Sequence, residues 1–173
     1  MKKYELTRET KVINGVELHR IKALESFGNI KEGELGGWIE SEKNLSQYGD
    51  AWVGENAKVY GNATVRGNAI ICGDATVFGN AEVFGNAKVF GNAEVRGKED
   101  FIVFKNWWSS GRYFTWTRSN NKWEVGCFYG SGEELIAKAY KDSEKSGREY
   151  ERVVKYVNDI LKEEEDNGNR NKR

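Results

Sequence analysis

From Ala51 to Val95 an alanine returns every sixth residue, at Ala51, Ala57, Ala63, Ala69, Ala75, Ala81, Ala87 and Ala93. Two residues after each stands a branched aliphatic: Val53, Val59, Val65, Ile71, Val77, Val83, Val89 and Val95. An α-helix repeats every 3.6 residues, and a free-standing hairpin strand would not keep a six-residue phase for eight units. A short repeat of fixed phase marks a solenoid. Residues two apart point to the same side of a strand, so each alanine and its valine share one face. The Gly-Asn or Gly-Asp that follows supplies the backbone conformations a corner needs. A short strand and a corner every six residues closes a triangular coil, three units to a turn, with alanine in the tight slot and valine on the axis. The glycine slips by one residue near Gly54. At the spacing of about 4.8 Å between stacked strands, fewer than three coils make a prism on the order of 13 Å tall. Such a stub has two open ends, and both need caps.

This pattern resembles the hexapeptide-repeat family, the left-handed parallel β-helices. An aliphatic residue is followed four later by a small one, as in Val59 to Ala63 and Val77 to Ala81. The handedness is what the resemblance implies. The fold class read here is mainly β: a short left-handed parallel β-helix over residues 49–97, an N-terminal β-hairpin and capping coil over 1–48, and a C-terminal α+β module over 98–162. A charged tail, 163–173, is expected to be disordered.

The 173 residues carry 27 basic and 27 acidic side chains, a formal charge of zero. That gives no bulk electrostatic footprint for nucleic acid or an anionic membrane. MKKYELTRET lacks an apolar signal region, and no run approaches transmembrane length. Cys72 and Cys127 are far apart and unpatterned, which suggests reduced thiols and a cytoplasmic location. No metal and no cofactor is expected.

Asn14-Gly15 between Val12-Ile13 and Val16–Ile21 is a strong hairpin signal. The single histidine, His19, reads as a strand residue facing solvent. Ile39 and Leu45 stand twelve and six residues before Ala51, in the alanine phase, as a broader first coil. Gly36-Gly37-Trp38 reads as a tight turn with an aromatic lid. Residues eighteen apart stack, so the outward positions sort into three faces. The face with Trp52, Ile70, Cys72 and Phe90 is too apolar for open water and marks an interface. β-Helices of this family are commonly homotrimers, so the resemblance implies a trimer closed through that face. The other reading covers the face with the C-terminal module.

After Gly97 the repeat stops. Phe101–Phe104, Arg112–Arg118 and Lys122–Tyr129 read as three strands. Ser131 with Glu134 forms a capping box ahead of one or two helices with a break near Gly147. The layout as a whole resembles a group of phage and prophage proteins. The shared features are the K-Y-E-L-T start at Lys3–Thr7, L-G-G-W-I-E-S-E at Leu35–Glu42, the hexapeptide array, and G-C-F-x-G at Gly126–Gly130. The family's G-S-R is here Ser109-Ser110-Gly111-Arg112, a departure. The resemblance implies no general activity.

The resemblance to hexapeptide-repeat proteins implies acyl transfer with a histidine base as one activity, and a general base must reach the acceptor. No histidine lies in or after the repeat, and Asp50 and Asp74 occupy corner slots that Asn fills elsewhere. Between Phe101 and Gly130, ten aromatic residues alternate with Lys105, Arg112, Arg118 and Lys122, against Glu124 alone. Such a segment can stack bases and hold phosphates. Arg112 and Arg118 are the expected phosphate ligands, and Trp107, Trp108 or Trp116 the stacking rings. Ser109 and Ser110 are expected to offer backbone amides to an anion. The reading is a non-catalytic, homotrimeric, phage-type protein that binds a nucleotide-like signal of host defence or a host defence protein. An acyltransferase and a structural scaffold are the alternatives, and the same aromatic segment also reads as ordinary core.

Overall fold

The computed structural model describes residues 2–170. Two long strands, β1 (Tyr4–Ile13) and β2 (Val16–Ala23), form the expected hairpin. Asn14 and Gly15 both have positive φ, 51° and 81°, as a tight two-residue turn with the right twist requires. β3 (Leu35–Ile39) runs antiparallel to β2 on one side and parallel to the repeat on the other. Gly36 and Gly37 lie inside this strand and do not form a turn. A Cβ at Gly36 would meet the Trp52 ring at 2.5 Å, and one at Gly37 would meet the Ala57 carbonyl at 2.6 Å. Both glycines are there for close packing.

The repeat forms eight two-residue strands: β4 (Trp52–Val53), β5 (Lys58–Val59), β6 (Thr64–Val65), β7 (Ile70–Ile71), β8 (Thr76–Val77), β9 (Glu82–Val83), β10 (Lys88–Val89) and β11 (Glu94–Val95). They stack in parallel as three sides: β3-β5-β8-β11, β4-β7-β10 and β6-β9. Every alanine and every branched aliphatic of the array is buried on the axis. The parallel β-helix expected from the repeat is therefore present, at about three turns. At the slipped corner, Glu55 takes the left-handed φ (53°) that glycine takes at the other corners, and the unit keeps its length.

One register differs from expectation. Ile39 pairs with Val59 and Leu45 bridges to Val65, so both stand in the valine phase and not the alanine phase. Two extra residues enter at the Ser46–Asp50 corner. That corner is shaped by Gln47, whose side chain accepts from Lys3 N (2.9 Å) and donates to Tyr4 O (3.2 Å).

The C-terminal module has four strands, not three: β12 (Phe101–Lys105), β13 (Tyr113–Thr117), β14 (Lys122–Val125) and β15 (Phe128–Gly130), an antiparallel meander. The stretch read as one strand folds back at Gly126, whose φ is 65°. α1 (Gly132–Asp142) starts at the Ser131–Glu134 capping box. α2 (Glu144–Arg170) follows after the extended Ser143. Gly147 lies inside α2 and marks no break; a Cβ there would collide with the Tyr140 ring. α2 also runs through most of the tail expected to be disordered, whose last three residues, 171–173, lie outside the described residues. Phe114, Trp116 and Trp123 from the sheet and Leu135, Val154 and Val157 from the helices make a core separate from the Ala/Val prism.

Candidate functional site

One recurring set of bonds between coils runs from an N–H to a carbonyl seventeen residues on, as from Trp52 to Ala69 (3.0 Å) and from Phe78 to Val95 (2.9 Å). The first-coil carbonyls and last-coil amides that belong to this set have no neighbouring coil to pair with and need other partners. At the N-terminal end the carbonyls meet donors. Lys3 Nζ donates to Gly49 O (3.0 Å) and Ala51 O (2.8 Å). Tyr4 Oη donates to Leu45 O (2.6 Å), and Asn44 Nδ2 donates to Ala63 O (2.8 Å). All three side chains are buried. Burial lowers the Lys3 pKa to about 8, against the opposing pull of Asp50 and Glu25. Burial likewise raises the Tyr4 hydroxyl well above its ordinary value, helped by Glu42.

At the C-terminal end four amides meet acceptors. Lys88 N–H donates to Thr115 Oγ1 (2.9 Å), and Glu94 N–H to Ser119 Oγ (2.7 Å). Arg96 and Gly97 N–H groups both donate to Asp100 Oδ2 (2.7 and 2.9 Å). The nearly buried Glu124 pairs with Lys88 Nζ at 3.3 Å. Its carboxyl is raised by burial, with Lys88 pulling the other way. One side of β13 therefore faces the end of the solenoid and the other faces the helices.

The residues expected at an interface divide. Trp52 is buried within its own chain, edge-on to Phe27 and Tyr4, so it offers nothing to a neighbouring subunit. Ile70, Cys72 and Phe90 remain half-buried on the outside. Burial pushes the Cys72 thiol up to about 11, with Glu55 adding to it, which keeps it protonated.

The residues expected to bind a ligand are not gathered in one place. Arg112 and Arg118 flank opposite ends of β13. Arg118 is occupied: its guanidinium donates to Glu164 Oε2 (2.7 Å) and to Glu99 O (2.9 Å). Trp116, expected as a stacking ring, is 1% exposed in the module core, with Nε1 bonded to Asn121 Oδ1 (2.8 Å). The alternation of β13 put it on the same side as Arg112, but that side is the one the helices cover. Trp108 packs against Phe114 and Tyr150, and its buried Nε1 has no partner among the described residues. Trp107 is 82% exposed. The amides of Trp108 and Ser109 already donate to Asn106 Oδ1, and the Ser109 and Ser110 hydroxyls accept from Asn106 Nδ2, so this loop serves its own buried asparagine.

Arg112, by contrast, faces a cleft. Its Cδ lies 3.4 Å from where a Cβ on Gly126 would sit, so the glycine makes room for it. The cleft, about 190 Å³, lies between the β14–β15 turn, α1 and the start of α2. Val125, Leu135 and Ala139 floor it, Phe128 and Tyr150 wall it, and Arg112, Lys138, Asp142 and Cys127 rim it. Lys138 Nζ sits 5.7 Å from the Phe128 ring centre. Among the described residues neither Arg112 nor Lys138 forms an ion pair. Burial raises the Tyr150 hydroxyl's pKa, and the Arg112 charge draws it back down. Lys138 was missed in the sequence, although its spacing from Leu135 and Asp142 puts it on the core-flanking edge of α1.

Among the described residues no group of His, Cys, Asp or Glu is placed to hold a metal, and no helix is long and apolar enough to cross a membrane. Neither the family models nor the curated proteins give a match to this sequence.

Proposed function

We propose that this is a non-catalytic binding protein, a homotrimer, whose C-terminal module takes a small anionic, nucleotide-like ligand in the cleft between Arg112 and Lys138. The observation that carries the reading is a pair of cations facing one aromatic-walled cleft, neither in an ion pair among the described residues. Charge-assisted bonds from such donors to a phosphate are strong, and arginine can make two at once. Asp142, on the same rim, supplies an acceptor for a sugar hydroxyl. A cleft of about 190 Å³ holds the phosphate–sugar end and leaves a base at its mouth. The half-buried outer residues Ile70, Cys72 and Phe90 are the face through which subunits pack. The resemblance to phage and prophage proteins gives such a site a role in sequestering a nucleotide signal of host defence.

Titration calorimetry with cyclic dinucleotides and ADP-ribose derivatives tests the reading. Arg112→Ala is expected to cost about 1.5–3 kcal/mol, about a 10- to 150-fold loss of affinity. Arg118→Ala, which removes an arginine held by Glu164, is expected to leave binding unchanged. Silence with every nucleotide overturns the ligand, and a single-subunit mass by native mass spectrometry overturns the trimer.

A further inference from the structure

On two sides of the last coil the amides of Lys88, Glu94 and Arg96 meet acceptors, and on the third side neither strand amide does. On β9 the Glu82 and Phe84 N–H groups meet no acceptor among the described residues. One coil below, the equivalent Thr64 and Arg66 amides donate to Ala81 O and Val83 O at 2.9 and 3.0 Å. Continuing the register would bring the next strand over β9. Instead the chain leaves through a short turn of 3₁₀ helix, Lys98–Asp100. The corner after β9 is open as well. Nothing lies within 4 Å of a Cβ built on Gly85, whereas one on Gly67, a coil below, meets Gly85 N at 3.1 Å. Beside this edge runs a groove of about 830 Å³ lined by Phe84, Arg96, Lys98, Glu99 and Phe101.

The chemistry of the groove selects its occupant. Free amides at strand spacing are best answered by the carbonyls of another extended backbone. Phe84, 51% exposed beneath the Arg66 guanidinium, adds apolar surface for a side chain of that strand. The Glu82 carboxylate is taken by Arg66 (3.2 Å), while Arg96 and Lys98 form no ion pair among the described residues. Two cations against Glu99 and a row of N–H donors favour negative charge.

We propose that the β9 edge docks an extended acidic segment of a partner protein, which pairs with Glu82 and Phe84 as an added strand and sets its carboxylates against Arg96 and Lys98. This site is separate from the Arg112 cleft and stands without it.

The test uses the full chain, amide-resolved NMR, and two synthetic probes: acetyl-Asp-Val-Thr-Val-Asp-amide and its lysine counterpart, acetyl-Lys-Val-Thr-Val-Lys-amide. The acidic peptide is expected to give saturable shifts centred on the Glu82 and Phe84 amides, with the basic one about tenfold weaker or silent. Arg96→Glu should weaken the acidic peptide by about tenfold. Phe84→Pro removes an N–H that makes no internal bond, and should abolish binding in a folded protein. Arg96→Glu keeps the test alive if the proline variant does not fold. Absence of saturable shifts at these amides, equal binding of both peptides, or unchanged binding by Arg96→Glu overturns the proposal. So does protection of the two amides in the free protein together with a dimer mass, which would make a second copy the occupant.

Discussion

The two ends of the solenoid are closed by opposite means. At the N-terminal end, buried donors answer carbonyls, and the cap shares one core with the prism: Tyr4, Ile21 and Trp52 pack into the same cluster as the array's alanines and valines. At the C-terminal end, Thr115, Ser119 and Asp100 answer amides from a module that packs around its own aromatic core. A cap fused into the prism has its polar groups tied up in closing it. A cap with its own core touches the prism with one face of its sheet and keeps other surfaces free, and those surfaces hold Arg112 and Lys138, which form no ion pair among the described residues.

The largest expected effect separates the two cores. Trp116→Ala removes a buried ring from the module and should destabilise it by about 3–5 kcal/mol. Chemical denaturation should then show the module melting in a transition of its own, ahead of the prism. A single cooperative transition that simply shifts would mean that the two cores act as one. The next effect is at the other end. Lys3→Met leaves the Gly49 and Ala51 carbonyls without their donor and should cost about 2–4 kcal/mol, since each buried unmet group costs about 1–3 kcal/mol.

The same lysine gives a pH signature. Its folded pKa, lowered to about 8, lies below the ordinary 10.5, so between these values the unfolded chain binds more protons than the folded one. Its contribution therefore makes stability rise with pH through that window and stay level below it. The urea midpoint of the wild type, measured relative to Lys3→Met, should climb from about pH 8 towards 10.5. A flat difference would show that Lys3 titrates normally. The smallest effect is Asp100→Ala, which strips one carboxylate from two amides at an exposed edge. A loss of about 1–2 kcal/mol is expected, and thermal melts would read it.

The array was legible because every inward position repeats its residue type, so Ala57 or Val59 can be placed without any knowledge of its neighbours. The first coil was less so. Whether Ile39 and Leu45 fall in the alanine or the valine phase depends on two extra corner residues, and that corner is set by Gln47, Lys3 and Tyr4, more than forty positions apart in the chain. In the module, alternation correctly grouped Phe114 with Trp116. It could not say which face the helices would cover, and that choice turned an expected stacking ring into core. Gly147 looked like a helix break because glycine is a poor helix former, but its missing side chain makes room for Tyr140. Arg118 looked free because its partner, Glu164, is forty-six residues away, on a helix that runs on into the charged tail.

Residue-resolved amide hydrogen exchange on the full-length protein tests the asymmetry most directly. The account predicts strong protection at Lys88, Glu94 and Arg96, whose amides are capped, and near-unprotected exchange at Glu82 and Phe84 in the same coil. Equal protection at all five amides would contradict it, because the C-terminal end would then be closed on every side.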